Sequence, residues 1–165
     1  ERKFKLNGLV YCAGIGAAFP MRTGDWKIVD KLMHVNCLAF FEMAKFVINR
    51  KYSENGCSIV AMSSLSSVTC YPGMAAYSIS KSSINTLCKV LSKEVTKRCI
   101  RVNTIMPGYV RTPMTSDRID EDVLKEQPMG FIEPIEIAYL VEFLLSDKSK
   151  YITGTYIPIS AGMNF

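Results

Sequence analysis

The sequence contains little that would hold a metal ion, form disulfides or cross a membrane. Its only histidine, His34, has no metal-binding or catalytic-triad partner near it in sequence, so no metal site is predicted. The six cysteines form no Cys-x-x-Cys pair and most lie in apolar segments, which favours free thiols in a reducing compartment over a disulfide framework. No apolar run is long enough to span a bilayer. These absences indicate a soluble, cytoplasmic protein with no membrane partner.

Charge and composition further restrict the class of protein. Lys and Arg outnumber Asp and Glu by 20 to 15, but the basic residues are dispersed in short runs, which gives no support to nucleic-acid binding. The chain is 48% hydrophobic and 21% charged, as is typical of a globular protein. Because its 165 residues contain no repeat and no low-complexity linker, we expect residues 1–165 to form one domain.

Apolar runs and helical stripes alternate along the chain. Nearly all-apolar runs closed by turn residues predict buried strands, and apolar residues at helical spacing predict helices. Strands that alternate with helices indicate an α/β fold with a parallel, doubly wound sheet covered on both faces. The strands are predicted within 7–14, 56–64, 100–108 and 154–160, and the helices within 26–52, 74–98, 117–126 and 134–145.

Polar or glycine-containing segments follow three of the predicted strands. They are Ala13–Gly16, Ser63–Ser67 and Pro107–Thr112. In parallel sheets of this kind ligands bind beyond the carboxyl ends of the strands, so these segments are expected to share one binding edge.

A tyrosine and a lysine follow the second of these segments in "AAYSISKSS". At a spacing of four, Tyr77 and Lys81 project from the same helix face, and a nearby ammonium lowers the pKa of a phenol. Ser64, thirteen residues ahead of Tyr77, could donate a hydrogen bond to a substrate carbonyl, which suggests general acid–base chemistry. The alternatives are an ordinary helix surface for the pair and strand-end capping for Ser63 and Ser64.

The motifs taken together resemble those of the short-chain dehydrogenase/reductase family. "YSISK" is similar to its Tyr-x-x-x-Lys signature, and "LVYCAG" to its Asn-Asn-Ala-Gly strand end, with Tyr11 and Cys12 in place of the asparagines. "HVNCLAFF" resembles the helix that carries a fourth catalytic residue, here Asn36. "IRVNTIMPGYVRTPM" is similar to the segment that lines the nicotinamide, and "YITGTYIPISAGMNF" to the closing strand. The resemblance implies a Rossmann-like fold and an NAD(P)-dependent oxidoreductase.

The resemblance also implies four catalytic roles. Tyr77 would be the general acid in reduction and the general base in oxidation. Lys81 would lower the pKa of Tyr77 and hold the nicotinamide ribose, and Ser64 would polarise the substrate oxygen. Asn36 would bind, through its backbone, a water that extends a proton relay from Lys81.

The cofactor implied is NAD or NADP, which these residues do not distinguish. The implied substrate is a small carbonyl compound or secondary alcohol, such as a 3-oxoacyl, sugar or other small hydroxy compound, and the implied assembly is a homodimer or homotetramer. The cofactor-binding residues implied by the resemblance are Ala13, Gly14, Tyr77, Lys81, Pro107, Gly108, Val110 and Thr112.

The family's glycine-rich phosphate loop should lie well upstream of the strand at Gly8. We therefore expect the chain to be the C-terminal part of the fold, without its first strands, and a portion of a longer protein. The alternative is a short form that binds a partner across an exposed strand edge. A second functional hypothesis follows from that alternative, a non-catalytic binding or assembly module.

Two further expectations concern less regular segments. The stretch from Thr115 to Phe131 has mixed charge and two flanking prolines, and we expect a mobile helical lid that governs substrate choice. Cys12 and the closing "ISAGMNF" depart from the family pattern, which could alter subunit packing without removing a catalytic group.

Overall fold

The computed structural model describes residues 4–165, so residues 1–3 of the predicted domain lie outside the described part. Four strands form one parallel sheet in the order β1-β2-β3-β4. The predicted α/β class with a parallel sheet is confirmed. The strands are β1 Leu6–Tyr11, β2 Ser53–Met62, β3 Arg101–Pro107 and β4 Tyr156–Ile159.

The helices lie between these strands and after them. No helix within residues 4–165 combines the length and the apolar character that crossing a bilayer requires. The helices are α1 Trp26–Met33, α2 Ala39–Val47, α3 Ser66–Thr69, α4 Ala75–Glu94, α5 Asp120–Glu126 and α6 Pro134–Leu145.

Helices cover both faces of the sheet. Neighbouring residues of a strand point to opposite faces, so consecutive residues of β2 pack against different helices. Ile59 of β2 packs with Phe40 of α2 and Ile84 of α4 on one face. Val60, the next residue, packs with Leu144 of α6 on the other face. The sheet is thus sandwiched between α2 and α4 on one side and α6 on the other. Within the described residues β1 is an edge strand, with Leu6 and Val10 exposed.

The helix predicted within 26–52 differs from the prediction in two ways. A π-helical segment, His34–Leu38, separates α1 from α2 without breaking the helical path. The helix ends at Val47 instead of Tyr52, because Asn49 starts a turn in which its carbonyl accepts from Tyr52 N and its side chain accepts from Lys51 N. Strand β2 begins directly after this turn, three residues earlier than predicted.

The other boundaries also moved by a few residues. Helix α4 ends at Glu94 and a short 3-10 turn, Thr96–Arg98, follows it. Helix α5 begins at Asp120, three residues after the predicted start. Helix α6 has the predicted bounds, since Pro134 fits the first helical position, where no backbone N–H is needed.

Candidate active site

The carboxyl ends of β2 and β3 hold the serine segment in place. Ser63 N donates to Ile105 O at 2.8 Å, and Leu65 N donates to Pro107 O at 2.9 Å, so the segment continues the pairing of the sheet past the end of β2. Ser64 lies between these two anchors and is half-buried. The Ser63 hydroxyl donates to Lys81 O at 3.0 Å, so Ser63 ties the end of β2 to the second turn of α4.

Tyr77 and Lys81 lie in the first two turns of α4, facing the ends of the strands. Tyr77 is 9% exposed and Lys81 is 4% exposed. The Lys81 ammonium donates to Met62 O, the last residue of β2, at 2.9 Å, and it lies 5.9 Å from the centroid of the Tyr77 ring. The pair therefore occupies the buried inner face of α4 and not an ordinary helix surface.

Burial dominates the titration of both groups. Desolvation lowers the pKa of Lys81 to about 8, because the interior disfavours its charge. Desolvation also raises the pKa of Tyr77, and hydrogen bonding with the Ser64 side chain lowers it by less. The pKa of Tyr77 therefore lies above its ordinary value in this structure, whereas the resemblance implies that Lys81 lowers it. The Lys81 ammonium is directed to the Met62 carbonyl and not to the phenol.

Asn36 lies in the π-helical segment and is fully buried. Its Oδ1 accepts from Ile15 N at 2.8 Å, and its Nδ2 donates to Ile15 O at 3.0 Å. The same Nδ2 donates to Ser80 Oγ at 2.9 Å, and Ser80 Oγ donates to Tyr77 O at 2.7 Å. The Asn36 amide therefore joins the loop after β1 to the buried inner face of α4.

Gly14, which the resemblance implies to bind the cofactor, lies close to both Lys81 and Asn36. A Cβ atom at this position would lie 3.1 Å from Lys81 Nζ and 3.5 Å from Asn36 Oδ1. A larger residue would push against the ammonium, so the close approach requires glycine or a local shift. Ala13, the preceding residue, is exposed at the carboxyl edge.

The segment after β3 forms the neighbouring wall. Gly108 N donates to Ile159 O at 2.9 Å, which continues the pairing of β3 with β4 beyond Pro107. Val110 and Thr112 lie in a turn whose hydrogen bonds centre on Thr115, since Thr115 Oγ1 donates to Val110 O at 2.6 Å and accepts from Thr112 N at 3.3 Å. The structure thus gathers Ser64, Tyr77, Lys81, Asn36 and Gly14 at one place and sets Val110 and Thr112 in an adjoining turn.

The predicted lid has one firmly held end. Gln127, directly after α5, is fully buried; its Oε1 accepts from Tyr109 N at 2.8 Å and its Nε2 donates to Tyr109 O at 3.1 Å. At the other end of α5, Arg111 pairs with Asp120 at 3.2 Å across an exposed surface. The motion of this stretch stays a prediction.

Sequence reasoning missed several residues that hold the site together. Hydrogen bonds between segments distant in sequence involve Ile15, Met62 and Ser80, and no local sequence pattern predicts such bonds. Gln127 gave a weak signal, as a polar residue beside the apolar positions of a short helix. Tyr11 was noticed only as a departure from a family motif.

The four parallel strands, the helices on both faces and the polar cluster at the carboxyl edge define an α/β protein with a Rossmann-like site. A family model described as enoyl-(acyl carrier protein) reductase matches residues 1–164. The chain belongs to the short-chain dehydrogenase/reductase family.

Similar proteins support this assignment. The 3-oxoacyl-(acyl-carrier-protein) reductase of Thermotoga maritima is 35% identical over 166 residues, which cover 96% of this chain and 66% of that protein. A short-chain dehydrogenase family protein from Francisella tularensis subsp. tularensis SCHU S4 superposes with a TM-score of 0.89 at 32% identity, over 98% of this chain and 72% of that one. A 4-hydroxyisoleucine dehydrogenase complexed with NADH superposes with a TM-score of 0.88 at 30% identity, over 94% of this chain and 67% of that one. The chain spans about two thirds of the length of such relatives.

Proposed function

We propose that the protein containing this chain is an NAD(P)-dependent oxidoreductase that interconverts a carbonyl compound and a secondary alcohol. The observation that carries this proposal is the cluster of Ser64, Tyr77 and Lys81 on the buried inner face of α4, at the carboxyl edge of a parallel sheet. The relatives described above are named as reductases and dehydrogenases, which favours catalysis over the alternative of a non-catalytic assembly module.

Each polar group has a role that follows from its surroundings. The Tyr77 phenol is the proton donor in reduction, since burial raises its pKa and keeps it protonated at neutral pH. The Ser64 hydroxyl hydrogen-bonds the substrate oxygen beside the phenol. Lys81, charged below a pKa of about 8, supplies positive potential near the phenolate that forms after proton transfer. The Asn36 amide keeps the loop after β1 against α4.

The residues present fit a dinucleotide at this edge. Gly14 leaves an approach beside Lys81 that a Cβ atom would obstruct, and the Lys81 ammonium is available for a ribose hydroxyl. A bound nicotinamide supplies or accepts the hydride. Together with Tyr77, the residues that we propose to line its site are Ala13, Gly14, Lys81, Pro107, Gly108, Val110 and Thr112.

The substrate, the choice of cofactor, the domain and the cellular compartment belong to the same proposal. The substrate is a small 3-oxoacyl, sugar or other hydroxy compound; the 3-oxoacyl option has the support of the Thermotoga maritima relative, and NAD that of the neighbour complexed with NADH. NADP is the alternative cofactor. We further propose that residues 1–165 belong to one Rossmann-like domain of a cytoplasmic protein.

Self-association is proposed on the basis of exposed apolar side chains on α2 and α4. A homodimer or homotetramer that packs these helices together would cover apolar surface that a monomer leaves in water. The side chains concerned are Phe41, Met43, Phe46, Ile79 and Val90.

The test uses the longest natural form of the protein that contains this segment. Oxidation of NADH and of NADPH is followed with a panel of 3-oxoacyl thioesters, sugars and small ketones. Tyr77→Phe is expected to lower kcat by roughly 100-fold to 10,000-fold, the usual contribution of a positioned general acid. Tyr151→Phe, the same change at a side chain that is 88% exposed, should leave kcat unaltered.

Two results would contradict the proposal. One is turnover by Tyr77→Phe at the rate of the parent protein. The other is the absence of any nicotinamide-dependent turnover or cofactor binding in the folded parent, which would favour the assembly module instead.

A further inference from the structure

Tyr11, the last residue of β1, reaches from the sheet to the π-helical segment that carries Asn36. Its hydroxyl donates to Val35 O at 2.5 Å, and the residue is 6% exposed. Its ring packs on Phe40, with centroids 5.2 Å apart and planes tilted by 38°. Phe40 is fully buried, so the ring is fixed and the hydroxyl has a defined position.

The Tyr11 hydroxyl meets the helix at its irregular part. A π turn shifts the register of the backbone hydrogen bonds, and the carbonyls around it lose the regular partners of an α-helix. Val35 lies within the segment His34–Leu38, directly before Asn36. The bond from Tyr11 therefore stabilises the backbone at the point where the helix deviates from α geometry.

The position of the Asn36 side chain depends on this deviation. Its amide pairs with both backbone groups of Ile15 and with Ser80, and Ser80 in turn bonds the Tyr77 carbonyl. Three hydrogen bonds of the Asn36 amide, and through Ser80 a fourth, thus depend on the direction in which the π-helical segment presents this amide.

We propose that Tyr11 is a positioning residue of the active site, which acts through Asn36 by holding the π-helical segment in register. The inference rests on the proposed function for its kinetic consequence, but its structural content stands on the contacts alone. Burial raises the pKa of Tyr11, so its hydroxyl stays protonated and donates throughout the neutral pH range.

Tyr11→Phe removes the donor and keeps the ring that packs on Phe40. Tyr52→Phe is the matched control, since Tyr52 also packs its ring on a phenylalanine, with centroids 5.7 Å apart, and is 37% exposed. We expect Tyr11→Phe to lower kcat about tenfold, the rate effect of losing roughly one net hydrogen bond of alignment, with little change in the KM for the cofactor. Tyr52→Phe should leave both constants unchanged.

A double-mutant cycle tests whether Tyr11 acts through Asn36. If it does, Tyr11→Phe costs about tenfold in the parent and nearly nothing in the Asn36→Ala background. A merely structural role would give the same factor in both backgrounds. Equal factors, or an unchanged kcat in Tyr11→Phe, would overturn the proposal.

A readout independent of activity separates this inference from the proposed function. Cys37 lies in the π-helical segment and is buried, as is Cys88 in the middle of α4. In Tyr11→Phe, alkylation of Cys37 should be faster than in the parent, while that of Cys88 should not change. Unchanged labelling of Cys37, or an equal acceleration of both thiols, would overturn the positioning role even if the protein is an active oxidoreductase.

Discussion

Lys81 is a charged group kept in the interior at a free-energy cost, so replacing it should stabilise the protein while it removes activity. The side chain is 4% exposed, and its ammonium has one protein hydrogen bond among the described residues, to Met62 O. Methionine has a similar length and shape without the charge. We therefore predict that Lys81→Met raises the free energy of unfolding at neutral pH, measured without cofactor.

The magnitude follows from the pKa. Burial lowers the pKa of Lys81 from 10.5 to about 8. At 1.36 kcal/mol per pH unit, the interior disfavours the charged form by about 3 kcal/mol. Loss of the hydrogen bond to Met62 O offsets about 1 kcal/mol of this. The net gain is about 2 kcal/mol, or roughly 5 °C in Tm for a protein of this size.

The sign of the pH dependence is also defined. Below pH 8 Lys81 is protonated in both the folded and the unfolded state, and the full penalty applies. Between about pH 8 and pH 10.5 the folded state has lost the proton and the unfolded state still binds it, so the parent becomes more stable as the pH rises. The advantage of Lys81→Met should therefore be largest at pH 7, vanish at roughly pH 9.5 and reverse slightly above it, where the lost hydrogen bond outweighs the remaining penalty.

Urea unfolding at pH 7 and pH 10 measures both effects. Lys93→Met is the matched control, because Lys93 lies on the same helix with an exposed side chain. It should change stability by less than about 0.5 kcal/mol at either pH. A Lys81→Met protein that is less stable than the parent at pH 7, or whose advantage is the same at both pH values, would refute the reasoning.

Two further predictions concern the packing around the site. In Gly108→Ala the new Cβ would overlap the side-chain oxygen of Gln127, so we expect a loss of about 1–3 kcal/mol in urea unfolding, whereas Gly16→Ala, where the nearest atom would lie 3.5 Å away, should be close to neutral. Ser80→Ala should lose about 1–2 kcal/mol because it removes one of the two acceptors of the buried Asn36 Nδ2. Ser78→Ala should be neutral or slightly stabilising, since the buried Ser78 hydroxyl has no partner among the described residues; an equal loss in both serine variants would contradict this.

The sheet and the class of fold could be predicted because they depend on local and periodic features. The apolar run from Ile59 to Met62 is continuous, as a buried parallel strand requires, and Ile59 is fully buried. The end of α2 was harder to predict, since the apolar residues Ile48 and Tyr52 continue the helical pattern past Val47. The bonds of the Asn49 turn, which end the helix, depend on its side chain and are invisible to hydrophobic periodicity.

The residues of the site could be predicted from the sequence, but the hydrogen bonds between them could not. Spacing placed Tyr77 and Lys81 on one face, and the strand ends placed Ser64 near them. Spacing could not show that the Lys81 ammonium bonds Met62 O, because that bond joins residues 19 apart and depends on how α4 packs on β2. Spacing also could not show how deeply Tyr77 is buried, and it is this burial that raises its pKa.

The places where ordinary rules of folding are broken identify the site without reference to any relative. A buried ammonium, a buried hydroxyl without a partner at Ser78, and a π-helical segment at His34–Leu38 each lower stability relative to a regular alternative. Two of the three lie in the first two turns of α4, and the third is joined to that helix by the bond between Asn36 and Ser80. Such departures are expected where a protein retains a costly arrangement for chemistry. Their concentration around Tyr77 is therefore independent support for an active site at the carboxyl edge of the sheet.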